Sequence, residues 1–243
     1  MANAKEIVVI KFGSGILTRP DGVALDDSQF EALVAAVAGL QNDGLRPILV
    51  SSGAAAAGMM AFGIETRPTD LSLLQACCAV GQTRLMHFYE TLFRQYRLNV
   101  AQMLLTNEDF GTPERSDNVV NTLSRLLEYN DVVPIINEND SVAVEELKFG
   151  DNDTLSAHLA VLAEASLLVL LTGVDGLTDH DGNLVPVVSD LPAAEALVRP
   201  DTGSFSVGGM SAKLAAVRTA AESGIPAVIA NGRNPAQLAD VIG

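Results

Sequence analysis

The residues best suited to chemistry in this sequence are two lysines in glycine-rich segments. The chain has four lysines, and two of them stand in the segments 11–15 (KFGSG) and 208–213 (GGMSAK). Glycines let backbone N–H groups approach an anion, and Lys11 and Lys213 add positive charge. In so acidic a chain this placement favours a polyphosphate site. The alternatives are a tight turn with a solvated lysine at 11–15 and a flexible loop entering a helix at 208–213.

Further polar segments follow other predicted strands. The segment 51–53 (SSG) precedes a helix of small residues, where it could bind an anion or simply cap the helix. The runs 137–140 (NEND) and 149–153 (FGDND) gather amide and carboxylate groups suited to gripping an ammonium group or holding lysines. The alternative is that Asp153 caps a helix and the rest forms a turn. A calcium loop is disfavoured because its ligand spacing is missing.

The elements that would position these segments alternate between strands and helices. Hydrophobic periodicity predicts strands at 5–12, 47–50, 100–105, 132–136, 166–171 and 227–230. It predicts helices at 27–44, 54–60, 71–96, 117–129, 154–164, 209–223 and 236–241, with a break near Gly81, and a hairpin at 140–149. This alternation predicts an α/β fold whose mostly parallel sheet is covered on both faces. Such sheets bind ligands at the carboxyl ends of their strands, where the polar segments lie.

Composition narrows the function classes. The 243 residues are 48% hydrophobic and carry a net charge of -15, which disfavours nucleic acids and anionic membranes as partners. No apolar run reaches the roughly 20 residues of a membrane span, and the N-terminus lacks a signal-peptide pattern. The only cysteines, Cys77 and Cys78, are neighbours, which argues for a reducing compartment. We therefore predict a cytoplasmic protein.

Eight segments, in this order along the chain, resemble the amino-acid kinase family and, within it, the glutamate 5-kinases. The specific part is INEND at 136–140 followed by GDND at 150–153, because each glycine turn alone would be a weak signal. The resembling segments cover nearly the whole chain: 11–18 (KFGSGILT), 50–58 (VSSGAAAAG), 79–86 (AVGQTRLM), 102–106 (QMLLT), 133–142 (VPIINENDSV), 149–157 (FGDNDTLSA), 168–177 (LVLLTGVDGL) and 208–213 (GGMSAK).

The resemblance implies a three-layer α/β/α sandwich and an activity. That activity is the phosphorylation of the side-chain carboxylate of L-glutamate by ATP and Mg²⁺, which gives L-glutamyl 5-phosphate in the first step of proline biosynthesis. Lys11, Asp153 and Lys213 would be catalytic. Lys11 would lie between the phosphoryl group and the acceptor, Lys213 would neutralise the nucleotide phosphates, and Asp153 would orient both lysines. A homo-oligomer (dimer or tetramer) and inhibition by proline are also implied.

The same resemblance implies the binding residues. Glutamate would be held by Ser52, Gly53, Asn137, Asp140 and Asn152. The nucleotide side would be lined by Lys11, Gly13, Ser14, Thr172, Gly173, Val207, Gly208, Gly209, Met210, Ser211, Ala212 and Lys213. No residue is assigned as a metal ligand.

The chain departs from the family pattern on the nucleotide side. Gly173 stands where the family usually has Asp, Ser206 and Val207 replace Gly-Thr, and Ala212 replaces Thr. Many members also carry a C-terminal PUA domain. Here the kinase pattern runs to Gly243, so we expect one amino-acid kinase domain over 1–243 and no PUA domain. A sister kinase acting on another acceptor, such as N-acetylglutamate, and a weakly active paralogue that senses a ligand are the alternatives.

Overall fold

A computed structural model describes residues 6–19, 22, 24–143, 152–198, 209–235 and 237–242. Its centre is a six-stranded sheet in the order β3-β4-β2-β1-β5-β6, in which every neighbouring pair is parallel. The predicted parallel sheet is thus confirmed. The strands are β1 (Ile7–Phe12), β2 (Arg46–Ser51), β3 (Asn99–Leu105), β4 (Val132–Glu138), β5 (Leu167–Thr172) and β6 (Ala227–Asn231).

Helices connect the strands, as parallel pairing requires. The described helices are α1 (Ser14–Leu17), α2 (Asp27–Asn42), α3 (Ala54–Phe62), α4 (Leu71–Arg94), α5 (Pro113–Leu127), α6 (Asn152–Leu162), α7 (Leu191–Ala196), α8 (Gly209–Glu222) and α9 (Gln237–Ile242), with a 3₁₀ turn at Asn107–Phe110. Within these described ranges, no helix is both long and apolar enough to cross a membrane.

The helices form two layers, one on each face of the sheet. Along β1, Val8, Ile10 and Phe12 pack into a core with residues of α2, α3, α4 and α9. Val9 points the other way, into a second core with residues of α5, α6 and α8. Because side chains alternate along a strand, Lys11 shares its face with Val9. The three-layer α/β/α sandwich is therefore confirmed.

The break predicted near Gly81 is wrong, since α4 runs unbroken from Leu71 to Arg94. A Cβ atom at Gly81 would lie 1.7 Å from the carbonyl oxygen of Ala54, and one at Gly58 would lie 1.8 Å from that of Cys77. The two glycines therefore let the backbones of α3 and α4 touch. Glycine stands in α4 for packing against α3, and it does not end the helix.

Other differences from the prediction lie at element ends and in short elements. The helix predicted at 27–44 ends at Asn42, and Gly44 then turns the chain with a φ of 95°. The helix predicted at 117–129 begins earlier, at Pro113, whose fixed φ suits a first helical turn. The short α1 and α7 and the 3₁₀ turn were not predicted. The hairpin predicted at 140–149 falls mostly outside the described residues, because only 140–143 are described.

Candidate active site

Two buried lysines meet one buried carboxylate at the carboxyl end of the sheet. Lys11 on β1 places its Nζ 2.7 Å from Oδ1 of Asp153, and Lys213 on α8 places its Nζ 3.1 Å from Oδ2 of the same side chain. The exposed fractions are 5% for Lys11, 1% for Asp153 and 7% for Lys213. Two cations therefore share one buried carboxylate inside a protein of net charge -15. The structure thus brings together the three residues predicted to be catalytic.

The two lysines keep Asp153 ionised. Burial on its own raises the pKa of Asp153, but the charges of Lys11 and Lys213 and their hydrogen bonds outweigh it and hold the pKa below its ordinary value of 3.8. Lys213 also donates to the carbonyl oxygen of Gly209 at 3.4 Å. A carboxylate fixed in this way can orient both ammonium groups toward a third, anionic partner.

A cavity of about 510 Å³ opens beside the two lysines. Its lining includes most of the residues predicted for the nucleotide side: Lys11, Gly13, Ser14, Thr172, Gly173, Gly209, Met210, Ser211 and Lys213. Ala212 is not among the described lining residues, and Val207 and Gly208 lie outside the described part of the chain. The other lining residues were not in the set assigned to the nucleotide and come from the turn after β1, the loop after β5 and the residues after α7: Gly15, Val174, Gly176, Leu177, Thr178, Gly182, Leu197 and Val198. Of these, Gly15 belongs to the segment 11–15 that was predicted to face an anion.

The turn after β1 lines one part of this cavity. The N–H of Gly13, expected to face phosphates, instead donates to the carbonyl oxygen of Leu171 at 3.1 Å. The N–H groups of Ser14 and Gly15 have no partner within the described residues, as is usual for the first turn of a helix. A Cβ atom at Gly13 would lie 3.6 Å from Nζ of Lys11 and 3.2 Å from the Leu171 oxygen. The turn therefore packs closely against the lysine and offers two free amides.

An amide network lies next to the lysine cluster, because Asn152 directly precedes Asp153 at the start of α6. Nδ2 of Asn152 donates to the carbonyl oxygen of Ser51 at 3.1 Å, to Oγ of Ser52 at 3.1 Å and to Oδ1 of Asn137 at 3.0 Å. Its Oδ1 is buried and has no hydrogen-bond partner within the described residues. The structure thus joins three of the residues predicted to hold glutamate and leaves one acceptor unused.

Two contributors to this network were not predicted from the sequence. Gln82 on α4 accepts a hydrogen bond from Nδ2 of Asn137 through Oε1 at 2.8 Å. The hydroxyls of Ser51 and Tyr89 are hydrogen-bonded at 2.8 Å, and burial raises the pKa of Tyr89 despite this contact. These contacts connect the predicted binding residues to α4. No local sequence pattern predicts these contacts, although Gln82 lies in the segment 79–86 that resembles the family.

The remaining predicted glutamate residues sit at the margins of this network. Gly53 precedes α3 with a φ of 107°, and no side chain caps the helix there. Asp140 lies near Cys78, whose pKa is raised by burial and then by the charge of Asp140 and a hydrogen bond to it. In the described part of the chain, no three His, Cys, Asp or Glu side chains are grouped to hold a metal ion.

Comparison with known proteins shows the family to which the chain belongs. Residues 6–231 match the model of the amino acid kinase family. This chain belongs to that family. It is 45% identical over 240 residues to the glutamate 5-kinase of Geobacter sulfurreducens and 43% identical over 242 residues to that of Clostridium acetobutylicum. These alignments cover 96% and 97% of the chain respectively.

The relatives in the amino acid kinase family differ in length. The chain spans 64% of the Geobacter sulfurreducens protein, which is less than two thirds, and 90% of the Clostridium acetobutylicum protein. Among solved structures, carbamate kinase from Giardia lamblia bound to citric acid matches with a TM-score of 0.64 at 15% identity, over 98% of this chain and 96% of that one. UMP kinase from Ureaplasma parvum matches with a TM-score of 0.62 at 17% identity, over 98% and 95%. At these identities the structures share the fold.

Proposed function

We propose that the protein transfers the γ-phosphoryl group of MgATP to the side-chain carboxylate of L-glutamate, which gives L-glutamyl 5-phosphate and ADP in the first step of proline biosynthesis. The observation that carries the proposal is the cluster of Lys11, Asp153 and Lys213 between a cavity of about 510 Å³ and a buried amide network. The glutamate 5-kinases of the family support the choice of acceptor.

The reaction needs charge neutralisation more than proton transfer. A carboxylate oxygen of glutamate attacks the γ-phosphorus, the bond to the bridging oxygen breaks, and its electron pair leaves with ADP. No general base is required, because a glutamate carboxyl group is ionised far above its reference pKa of about 4.3. The barrier is repulsion between two anions. Lys11 offsets it between the acceptor and the phosphoryl group, and Lys213 offsets the charge that develops on ADP.

Magnesium enters this scheme as part of the nucleotide substrate. The carboxylate of Asp153 already contacts two ammonium groups, so it is not free to act as a metal ligand. Mg²⁺ usually keeps several waters and binds nucleotide phosphates with few protein ligands. When bound, it neutralises charge on the β- and γ-phosphates. Lys11, Lys213 and the free amides of Ser14 and Gly15 then act on the oxygens that the metal leaves uncovered.

The amide network suits the amino-acid end of glutamate. The unused Oδ1 of Asn152 is an acceptor for an ammonium group, and buried polar atoms normally have such a partner. Ser52 and Asn137 contact the same side chain. We assign Ser52, Gly53, Asn137, Asp140 and Asn152 to glutamate. The residues assigned to the nucleotide are those predicted above, with Gly15 added and Gly13 contributing close packing.

An acceptor panel tests the proposal. ADP release is measured with MgATP and, in separate reactions, L-glutamate, N-acetyl-L-glutamate, L-aspartate and no acceptor. We expect turnover that depends on L-glutamate. Faster turnover with N-acetyl-L-glutamate would assign a sister activity, and ATP binding without turnover on any acceptor would indicate a ligand sensor.

Three further properties belong to the same proposal. We propose that proline inhibits at or near the glutamate site, which proline added to the ADP-release assay tests directly. A homo-oligomer is supported by the edge strand β3, whose side chains are mostly exposed or half-buried, and size-exclusion chromatography with light scattering tests it. The third property is that residues 1–243 act as one amino-acid kinase domain in the cytoplasm.

A further inference from the structure

Arg233 makes three contacts behind the wall of the cavity. It lies just after β6, and its Nη2 donates to the carbonyl oxygens of Gly15 at 2.6 Å and Thr18 at 2.9 Å. Its Nη1 lies 3.1 Å from Oδ2 of Asp26 at the start of α2. One guanidinium group thus links three segments: the turn after β1, the start of α2 and the turn after β6.

The backbone that Arg233 holds is the segment that lines the cavity. Gly15 and its neighbour Ser14 are lining residues, and their N–H groups are the free amides on that side. The carbonyl oxygen of Gly15 points to Arg233, on the far side of the same short turn. The Gly15 carbonyl shares its peptide plane with the N–H of Ile16, which donates to the carbonyl oxygen of Gly13 at 3.1 Å. Fixing this carbonyl therefore holds the short turn from Gly13 to Ile16, which carries the amides of Ser14 and Gly15.

The rest of the turn after β6 also packs against cavity elements. A Cβ atom at Gly232 would lie 2.5 Å from Cδ1 of Ile16, so the turn touches α1 directly. Nδ2 of Asn231 donates to Oδ1 of Asp175 at 2.8 Å, and Asp175 belongs to the loop after β5 that supplies Gly173 and other lining residues. The turn 231–233 therefore contacts two segments of the cavity wall from outside.

We propose that Arg233 is a positioning residue for the nucleotide, because it sets the backbone of Gly15 and Thr18 and so the amides that face the phosphates. This rests on the proposed function of the cavity. Arg233 itself does not line the cavity and is not expected to touch the nucleotide. A planar guanidinium can serve two carbonyl oxygens and a carboxylate at once, whereas an ammonium group lacks this fork.

Direct binding of a nonhydrolysable nucleotide separates this role from catalysis. The affinity of Mg–AMP-PNP is measured by calorimetry for the wild type, Arg233→Met, Arg233→Lys and a control. The control is Arg125→Met, which removes an exposed arginine of α5 that pairs with Glu128. We expect Arg233→Met to bind about tenfold more weakly, the equivalent of one charge-assisted hydrogen bond. The affinity of Arg233→Lys should lie between those of the wild type and Arg233→Met, and the affinity of Arg125→Met should match that of the wild type.

The kinetic constants show whether the effect is specific to the nucleotide. The KM for ATP should rise in Arg233→Met while the KM for glutamate stays within about twofold, since the amide network lies on other elements. Equal nucleotide affinity in the wild type and Arg233→Met would overturn the inference, as would an equal rise of both KM values. If Arg233→Met does not fold, Arg233→Lys is judged by the same two criteria. A wild type that binds no nucleotide would overturn the proposed function, and the inference with it.

Discussion

At the scale of single residues, the site depends on one carboxylate shared by two lysines. Asp153 contacts both Nζ atoms while being almost fully buried, so each lysine is held in one place before any substrate arrives. Preorganised charges of this kind act in a low-dielectric environment and do not need to reorganise during the reaction. Both ammonium groups are therefore already in position for the anions that must meet there.

Lys11→Ala and Lys213→Ala should each lower kcat by at least about 10²–10³-fold, the usual cost of removing one electrostatic group. Both variants are measured by glutamate-dependent ADP release under saturating substrates. Arg125→Ala serves as the control, because its side chain is exposed and pairs with Glu128 at the surface. Near-normal turnover in either lysine variant would mean that the cluster is a structural ion pair.

Asn152→Ala should act mainly on the amino acid. It removes three donated hydrogen bonds and the free Oδ1, so we expect the KM for glutamate to rise about tenfold or more while the KM for ATP changes less. Steady-state kinetics with each substrate varied in turn measure the split. A larger effect on the KM for ATP would place Asn152 on the nucleotide side instead.

Much of the site could be predicted at this scale, for a physical reason. Lys11 and Asp153 belong to segments at strand ends and helix starts, where a parallel sheet collects its polar groups. Gln82 and Arg233 could not be predicted, because their partners lie 55 or more residues away along the chain. A side chain whose partner is distant along the chain leaves no periodic pattern in the sequence. The pairing of the Gly13 N–H with Leu171 is hidden in the same way.

At the scale of elements, the close contact of α3 with α4 sets where Gln82 and Tyr89 lie. Gly81→Ala should destabilise the protein by about 1–3 kcal/mol or more, because its methyl group would meet backbone that cannot move aside. Gly39→Ala is the matched control within a helix, since a Cβ atom there meets nothing within 4 Å. It should raise the free energy of unfolding by about 0.5–1 kcal/mol, which urea denaturation can measure.

A stable Gly81→Ala variant would show that α3 and α4 are not in backbone contact.

The same glycine explains the error in the predicted helix. Glycine has a low helix propensity, so Gly81 suggested a break, but tertiary packing outweighs propensity at that position. Strands such as β1 and β5 were easier to predict, because a short run of mostly apolar residues is typical of a strand buried in a parallel sheet. The short α1 has no periodicity to detect.

At the scale of the whole molecule, the buried ion pairs make stability depend on pH. The pKa of Asp153 is lower in the folded protein than its ordinary value of 3.8. Its contribution is therefore complete above pH about 4 and is lost as the pH falls through the lower, folded value. Asp153→Asn should cost about 3–5 kcal/mol at pH 7, because it leaves two buried lysines without their counter-ion.

Urea denaturation at pH 7 and at pH about 3 tests this dependence. The gap in unfolding free energy between the wild type and Asp153→Asn should narrow at the lower pH, because the Asp153 carboxyl group of the unfolded chain is protonated below its ordinary pKa of 3.8 while that of the folded protein resists protonation. A gap that stays constant between the two pH values would show that Asp153 does not carry the acid sensitivity. Asp240→Asn, on α9, is the control, and its unfolding free energy should match that of the wild type at both pH values.

If this cluster forms a carboxyl–phosphate bond on glutamate, the product is an acyl phosphate that can be trapped chemically. An acyl phosphate reacts with hydroxylamine, so MgATP, L-glutamate and hydroxylamine should give γ-glutamyl hydroxamate and ADP in equal amounts, identified by mass spectrometry. Lys213→Ala should lose both products together. ADP released by the wild type without any hydroxamate would show that the phosphoryl group is not transferred to the glutamate carboxylate.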